Sequence, residues 1–439
     1  MRFTRLHLIG ILLMLLVDGA WFTGNDIIHA QSITTTRDAQ PVVISRIDFI
    51  KASRLDVDVM SKMSQSDLIN PDKSAPSLID ELEFRLSNDE LAPKDQRYDF
   101  RLRPNNPALR NRTKELYSIR KEQLQADAEL DFSDEVFIRY EIITDWLELQ
   151  QELLLLNQRI HINDQRIDWL KRYPGADFFD ADTYTEALMD KLELWSQRAE
   201  IELSMSSLHK VVQQKMSVTD SVNINWDENF DISTDYIKKV LRSLPSNLDE
   251  HRRLYLAELA IQEVKWEEQV EKASVDIGFL QAEYFPNRVN KSLIGFSAGI
   301  TLPLFQTDRA ELMDYKLQSK EREFELLETR QQISNDVQRW KDHLQSTLSY
   351  YEDLRNNYEE INLSELKSTL QSLDEFEPLK GLELMELELK WKELEQEWYL
   401  EIVRSYIGLL SQLDWLASYT DIDWLSSNSV KNFNGISPN

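Results

Sequence analysis

The sequence predicts a mainly α-helical protein with a small β part, in which two long antiparallel helical hairpins occur in tandem. Glycine and proline are missing from four long stretches, residues 108–173, 176–244, 304–377 and 382–407, which indicates uninterrupted helices. Apolar residues recur there with coiled-coil spacing. Short segments of alternating polarity precede the first long stretch of each half, and they predict strands.

The N-terminus has the features of a secretory signal peptide. Arg2 and Arg5 supply positive charge, residues 8–17 form an apolar core, and residues 28–30 (Ile-His-Ala) offer a cleavage site. The apolar run is shorter than the roughly 20 residues that a membrane-spanning helix needs. We therefore expect residues 1–31 to be a signal peptide of an exported protein, with an uncleaved anchor as the less favoured alternative.

The composition excludes several classes of protein. The chain has no cysteine, which rules out a disulfide framework, thiolate metal sites and a lipoprotein anchor. Its formal net charge of −27 disfavours nucleic acid and anionic lipid head groups as partners. That acidity fits either a cation-preferring, water-filled lumen or, more simply, a solvated surface that keeps a large protein soluble.

The long stretches predict helices far beyond the globular average. At 1.5 Å per residue, residues 108–173 would extend roughly 100 Å and residues 304–377 roughly 110 Å. Spacings of four and three residues, which are typical of a coiled-coil seam, connect Ile142, Trp146, Leu149, Leu153, Leu156 and Ile160. The same spacing returns after Gly175, at Leu188, Leu192, Trp195 and Ala199. The helices should therefore pack as antiparallel hairpins.

The chain repeats its own pattern. Pro104 is followed after 70 residues by the Pro-Gly pair at 174–175, and Pro303 is followed after 75 residues by Pro378, with Gly381 three residues further on. The offset between the two halves is about 200 residues. We therefore predict two copies of one architecture, with the chain reversing at the Pro-Gly pair and again near Gly381.

Four segments are strand candidates. Residues 81–86 and 98–103 alternate between apolar and polar side chains in the first half, and residues 276–284 and 294–302 form the corresponding pair in the second half. Period two with one apolar face describes a membrane barrel wall. For one hairpin alone, a soluble sheet packed on a helix is the alternative. Four strands cannot close a barrel, so several chains would have to pool them.

Two segments resemble the TolC-type outer-membrane efflux protein family. Gly299-Ile-Thr-Leu-Pro-Leu-Phe305, followed by Asp308-Arg309-Ala-Glu, resembles the family's strand-to-helix junction, and residues 399–413 resemble its final long helix. Pro174-Gly175-Ala176 resembles a tip turn. The likeness covers roughly residues 78–415 and is stronger in the second half. It identifies as junction residues Gly299, Pro303, Leu304, Phe305 and Arg309.

The resemblance implies a homotrimer in the outer membrane of a Gram-negative bacterium. In that family three protomers pool four strands each into a twelve-strand β-barrel, and their helices form a tunnel that extends into the periplasm. The helix tips dock onto a periplasmic adaptor protein and an inner-membrane pump. The implied function is a passive exit duct of a tripartite efflux or type I secretion system, in contact with outer-membrane lipid and with no nucleic acid partner.

The resemblance also assigns roles to residues at the two tips. The implied docking turns consist of Tyr173, Pro174, Gly175, Ala176 and Asp177 in the first half and of Leu379, Lys380, Gly381 and Leu382 in the second. Carboxylates near both tips could form a cation-sensitive lumen constriction when three chains meet: Asp180, Asp182, Glu383 and Glu386. The alternative for Asp180 and Asp182 is helix capping, because both begin the returning helix.

No enzyme is predicted. His161, His209, His251 and His343 lack zinc-binding spacing, and the sequence contains no nucleophile elbow and no glycine-rich phosphate loop. We expect neither a cofactor nor a metal. The competing function is a soluble periplasmic coiled-coil scaffold or adaptor without a channel. An adaptor should show one hairpin flanked by glycine-rich β-domains, and a scaffold should lack the apolar strand faces, so both comparisons favour the duct.

The predicted organisation follows from these features. The N-terminal segment has residues 42–59 as its one helical candidate. The expected divisions are the signal peptide 1–31, an N-terminal segment 32–77, a first repeat 78–215, an equatorial linker region 216–247, a second repeat 248–415 and a C-terminal tail 416–439.

Overall fold

The computed structural model describes most of the chain from Val42 onward. The described residues are 42–88, 96–175, 180–218, 222–224, 226, 232–245, 248–274, 278–288, 291–300, 309–361, 365–366, 368 and 378–427. The chain divides between Val42 and Val43, and all described helices belong to the second unit. The predicted signal peptide, residues 1–31, lies outside the described residues.

Short elements form the N-terminal segment. They are strand β1 (Val42–Ile44), helix α1 (Arg46–Lys51), a 3₁₀ turn (Ala52–Leu55), α2 (Val57–Leu68) and α3 (Pro71–Ser74). The side chains of Ser45, Asp56 and Asn70 each accept a backbone N–H at a helix start, and such caps begin new helices. The expectation of one helical candidate at 42–59 was therefore wrong, since each cap starts a separate short helix.

Four long helices confirm the predicted hairpins. They are α4 (Pro107–Arg172), α5 (Ala181–Lys215), α8 (Arg309–Ile361) and α9 (Pro378–Gln412). The prediction of one uninterrupted helix over residues 176–244 was wrong, because α5 ends at Lys215 and Ser217 just beyond it has a positive φ of 52°. The 66 residues of α4 extend roughly 100 Å. The helix begins where Asn106 accepts a hydrogen bond from the backbone N–H of Ala108 and Pro107 occupies the first helical position, which suits its fixed φ.

Within the described residues, no helix combines the length and the apolar character that crossing a bilayer requires.

The remaining elements complete the repeat. They are β4 (Val222–Ile224), α6 (Thr234–Arg242), α7 (Arg252–Glu271) and α10 (Trp415–Ser418). In the first half α2 packs on α4, and in the second half α7 packs on α8. The long helices lie side by side in the order α5, α4, α9, α8, so α5 and α8 are the two outer helices of this layer.

Both halves contribute to one antiparallel sheet. Its strands are β2 (Ile79–Asn88), β3 (Gln96–Pro104), β5 (Phe279–Arg288) and β6 (Lys291–Gly299), in the order β2-β3-β5-β6. Each half supplies one hairpin, and the pairing of β3 with β5 joins the two repeats. Strands β1 and β4 form a separate two-stranded sheet. The four predicted strands are all present.

The main hydrophobic core lies around the middle of α4 and the end of α9. Trp226 and Trp424, from the predicted linker and the predicted tail, are among its largest fully buried side chains. The buried guanidinium of Arg139 donates to Glu135 at 2.9 Å and to the Lys215 carbonyl at 3.1 Å. We call this region the equatorial core. It joins segments that are far apart in the sequence.

Candidate functional site

One face of the four-stranded sheet is apolar across all four strands. The register aligns three rows, which are Leu82, Leu102, Leu280 and Ala298; Phe84, Phe100, Ala282 and Phe296; and Leu86, Tyr98, Tyr284 and Ile294. Phe84 is 65% exposed and Phe296 is 84% exposed. A contiguous exposed apolar surface marks contact with lipid or with another protein. We call it the apolar sheet face.

The opposite face carries charged side chains of both signs, and Phe279 and Phe285 lie among them. Its ion pairs are Arg85–Glu83, Arg97–Asp99, Arg97–Glu283 and Arg103–Glu81. The two contacts of Arg97 are each 2.8 Å long. A sheet that is apolar on one side and charged on the other can separate lipid from water.

Both edges of this sheet are open within the chain. Strands β2 and β6 each have one neighbour in the described structure. Unpaired edge N–H and C=O groups readily accept a further strand, and in a membrane they must have one, because the hydrocarbon offers no hydrogen bonds.

The predicted strand-to-helix junction begins with a close backbone approach. Gly278 has φ of +114°, and a Cβ built on it would lie 2.0 Å from the Gly299 carbonyl oxygen. A Cβ on Gly299 would lie 2.4 Å from the Phe279 ring. Both positions therefore require glycine. Arg309 is the first residue of α8, whereas the predicted junction residues Pro303, Leu304 and Phe305 lie outside the described residues.

The first tip has its turn where the sequence places it. Helix α4 ends at Arg172, and the N–H of Tyr173 donates to the Trp169 carbonyl at 3.2 Å. The rings of Trp169 and Tyr173 stack with centroids 5.2 Å apart. Pro174 and Gly175 follow in an exposed turn. Ala176 and Asp177, the other residues of this predicted docking turn, lie outside the described part of the chain.

The second tip differs from the prediction. Leu379, Lys380, Gly381 and Leu382 form the first turn of α9, which begins at Pro378. The prediction that Gly381 marks a reversal was wrong, because proline suits the first helical position and a helix tolerates one glycine at a cost of about 1 kcal/mol. The segment between α8 and α9, residues 362–377, lies almost entirely outside the described residues.

Leu379 and Leu382, at the start of α9, are held against neighbouring helices. Leu382 is 6% exposed and belongs to an apolar cluster with Leu155 and Ile162 of α4. Leu379 packs against the same cluster and against a second one that contains Leu170. These contacts give Leu379 and Leu382 a packing role between the hairpins.

The four predicted constriction acids have different local roles. Asp180 caps α5, since its side chain accepts a hydrogen bond from the N–H of Asp182 at 3.2 Å, which matches the capping alternative. Asp182 lies in the first turn of α5. Glu386 accepts two hydrogen bonds from Arg166 of α4, both 2.7 Å long. Glu383 is exposed. The structure does not bring these four acids into one group.

Ion pairs connect the helices near the tips. Arg166 of α4 binds Glu386 of α9. About two helical turns further from the tip, Arg159 of α4 binds Glu393 of α9. Neither ion pair was predicted from the sequence, although the spacing of the four residues indicates both. The two arginines are seven residues apart and so are the two glutamates, in opposite order, as antiparallel helices require.

A groove of about 400 Å³ lies between α4 and α9 close to these pairs. It is lined by Asn157, Gln158, His161, Ile162, Met385, Glu388, Leu389 and Lys392. The His161 ring lies 2.9 Å from the Gln165 amide. Across the described residues, no group of three His, Asp or Glu side chains is arranged to hold a metal ion.

A row of carboxylates on α4 faces α9 closer to the equatorial core. Arg404 of α9 binds Asp145 at 3.1 Å and Glu148 at 3.3 Å. Burial raises the pKa of Glu141 and of Glu152, and a neighbouring carboxylate raises each pKa further. The row therefore contains two paired and two partly desolvated acids.

The tandem hairpins and the four-stranded sheet define a class of protein. The chain has the fold of TolC-type outer-membrane efflux channels, as the sequence resemblance predicted.

Particular solved structures share this fold. The outer-membrane protein VceC from Vibrio cholerae matches with a TM-score of 0.61 and 10% identity, over 84% of this chain and 96% of that one. The open state of the MtrE outer-membrane channel of Neisseria gonorrhoeae matches with a TM-score of 0.59 and 10% identity, over 85% and 88%. CusC, described in terms of transmembrane channel formation, matches with a TM-score of 0.59 and 11% identity, over 87% and 95%.

No family model and no curated protein sequence matches this chain. At these identities the similarity to the solved structures shows the fold.

Proposed function

We propose that this protein is the outer-membrane exit duct of a tripartite efflux or type I secretion system. Three copies would pool four strands each into a twelve-strand β-barrel in the outer membrane. Their long helices would extend into the periplasm as a water-filled path, and a pump in the inner membrane would supply the energy. The duct itself is passive and catalyses no reaction.

The apolar sheet face is the observation that carries this proposal. It presents three rows of four apolar residues to the outside of the chain, while the other face is charged. A soluble scaffold would cover such a face with a helix. Instead Phe84 and Phe296 are mostly exposed, and lipid is the environment that suits them.

The open strand edges and the outer helices support assembly from several copies. Apolar side chains are exposed along α5, namely Leu188, Leu192, Trp195 and Leu203, and along α8, namely Met313, Leu317, Phe324 and Leu327. We call these the α5 stripe and the α8 stripe. They lie on the two outer helices of the layer. In a ring of identical copies, the α5 stripe of one copy would contact the α8 stripe of the next.

The first tip is the proposed docking site for a periplasmic adaptor. Tyr173 is 46% exposed, and its ring is fixed by stacking on Trp169. A rigid, half-exposed aromatic ring is a typical anchor of protein interfaces. For the second tip we propose Lys380 alone of the four predicted residues, because Leu379 and Leu382 pack between the hairpins.

Among the acids, Asp182 and Glu383 are the proposed lumen-facing groups. Asp180 is committed to capping α5 and Glu386 to Arg166, so neither is as available to a passing cation. The proposed organisation otherwise keeps the divisions predicted from the sequence, with residues 216–247 joining the two repeats at the equatorial core.

Membrane fractionation tests this proposal. The expressed protein should be recovered in outer membranes and should migrate as a trimer on gels without boiling and as a monomer after boiling. A soluble periplasmic species released by salt or osmotic shock would overturn the duct and favour the scaffold.

A further inference from the structure

Arg101 differs from the other arginines on the polar face of the sheet. Arg85, Arg97 and Arg103 each bind a carboxylate. Within the described structure Arg101 has no carboxylate within ion-pair distance, and its buried Nε has no hydrogen-bond partner. Within the described residues, the guanidinium of Arg101 is therefore the one on this face that forms no ion pair.

The neighbours of Arg101 in the same row are committed elsewhere. The register places Glu83 on one side and Gln281 on the other. Glu83 forms its ion pair with Arg85, and the Gln281 amide donates to Glu283 at 3.0 Å. Neither neighbour competes for the guanidinium.

An aromatic platform holds the Arg101 side chain in place. Its guanidinium carbon lies 3.8 Å from the centroid of the Phe279 ring, a distance typical of a cation–π contact. The Phe279 ring in turn lies over Gly299, where a Cβ would approach it to 2.4 Å. The lack of a side chain at Gly299 thus allows Phe279 to support Arg101.

We propose that Arg101 is a binding site for anionic groups inside the barrel. This inference rests on the proposed duct, in which the polar face of the sheet lines the lumen. Three copies would place three such guanidiniums at one height of the wall. A planar, fixed guanidinium with free donors recognises carboxylate, sulfonate or phosphate groups, so the site would retain anionic cargo or anionic blockers in an otherwise acidic protein.

Polyanion block of single channels tests this site. The purified trimer is inserted into planar bilayers, and inositol hexakisphosphate is added on the extracellular side, from which the barrel is reached first. We expect it to block the wild-type conductance. Arg101→Gln should raise the half-blocking concentration at least about tenfold, because tenfold corresponds to the loss of one charge-assisted contact and the variant removes the guanidinium from all three copies. Arg101→Lys, which keeps the charge, should retain most of the block and shows that the position tolerates substitution.

Arg103→Gln is the matched control, because it removes the same charge from the same strand at an arginine already bound to Glu81. Its half-blocking concentration should change less than that of Arg101→Gln. Equal weakening by the two variants, or unchanged block in Arg101→Gln, would overturn the site and leave the duct intact. If the wild-type trimer does not conduct at all, the duct fails and the site with it.

Discussion

The equatorial core and the four-stranded sheet use similar side chains in opposite ways. In the core, Trp226 and Trp424 are 1% and 0% exposed, whereas Phe84 and Phe296 in the sheet are 65% and 84% exposed. The core is complete within one chain, because distant segments meet there. The sheet is incomplete within one chain, since its apolar face is exposed and both of its edges are open. In the proposed duct, lipid and further copies would cover them.

The largest effect is expected from a charge on the apolar sheet face. Phe296→Arg would place a guanidinium against lipid in each copy, at about 2–4 kcal/mol per residue near the bilayer midplane. The boiling-sensitive trimer should disappear from outer membranes. Ser297→Arg, the next residue and on the polar face, is the control and should still assemble. A trimer formed equally by both variants would contradict the lipid contact.

The equatorial core should lose stability within each chain when a buried charge loses its partner. Arg46 and Asp423 form an ion pair of 2.8 Å with side chains 4% and 7% exposed. Removing one partner of such a pair costs about 3–5 kcal/mol, so Arg46→Ala should lower the midpoint of denaturant unfolding followed by tryptophan fluorescence. Lys51→Ala, from the exposed pair with Asp421, should leave that midpoint unchanged. Equal midpoints for both variants would argue against a buried pair.

A smaller effect on assembly is expected from the α5 stripe. Trp195 is 52% exposed in the single chain, and Trp195→Lys should remove about 1–2 kcal/mol of apolar contact per copy. The trimer should form but dissociate at a lower temperature on unboiled gels. Gln197→Lys on the same helix is the control. An unchanged dissociation temperature for Trp195→Lys would exclude this stripe from the contact between copies.

The smallest effect is expected at Asp134 of α4, beside the equatorial core. The Asp134 side chain is exposed at one side, but its partial desolvation raises the pKa of this carboxyl above its ordinary value of 3.8. A raised pKa means that the ionised form is penalised in the folded state, so the penalty is present at neutral pH and vanishes below the ordinary pKa. Asp134→Asn should therefore raise the unfolding midpoint slightly at pH 7 and not at pH 3.

Asp131→Asn is the matched control for that variant, because Asp131 binds Lys62 at 2.7 Å and should lose rather than gain stability at pH 7. A gain for Asp134→Asn that is the same at both pH values would show that ionisation is not its cause.

Much of the fold was predictable because it depends on local patterns. Missing breakers predicted the long helices, and the period-two alternation predicted the four strands, whose register then aligned the apolar residues. The first turn, at Pro174 and Gly175, was also predictable. The second was not, because Pro378 followed by Gly381 fits a helix start as well as a reversal, and the local sequence does not decide between them.

The candidate sites were harder to predict, since their properties depend on neighbours that are distant in the sequence. Asp180 and Glu386 look alike as acids near a tip, yet one caps a helix and the other binds Arg166 of another helix. Arg101 and Arg103 are equivalent in the strand pattern, and each has a glutamate opposite it on β2. Only Arg103 forms an ion pair with its glutamate, because Glu83, opposite Arg101, binds Arg85 instead.

The sequence by itself determined the class of architecture, its repeat and the faces of its strands, because side-chain period and breakers act within a few residues of chain. The tertiary structure decided which charges are neutralised, which apolar faces are covered and where α9 begins. Those outcomes depend on contacts between residues up to hundreds of positions apart, such as Tyr140 with Ile422, and such contacts exist only after the helices and strands have packed.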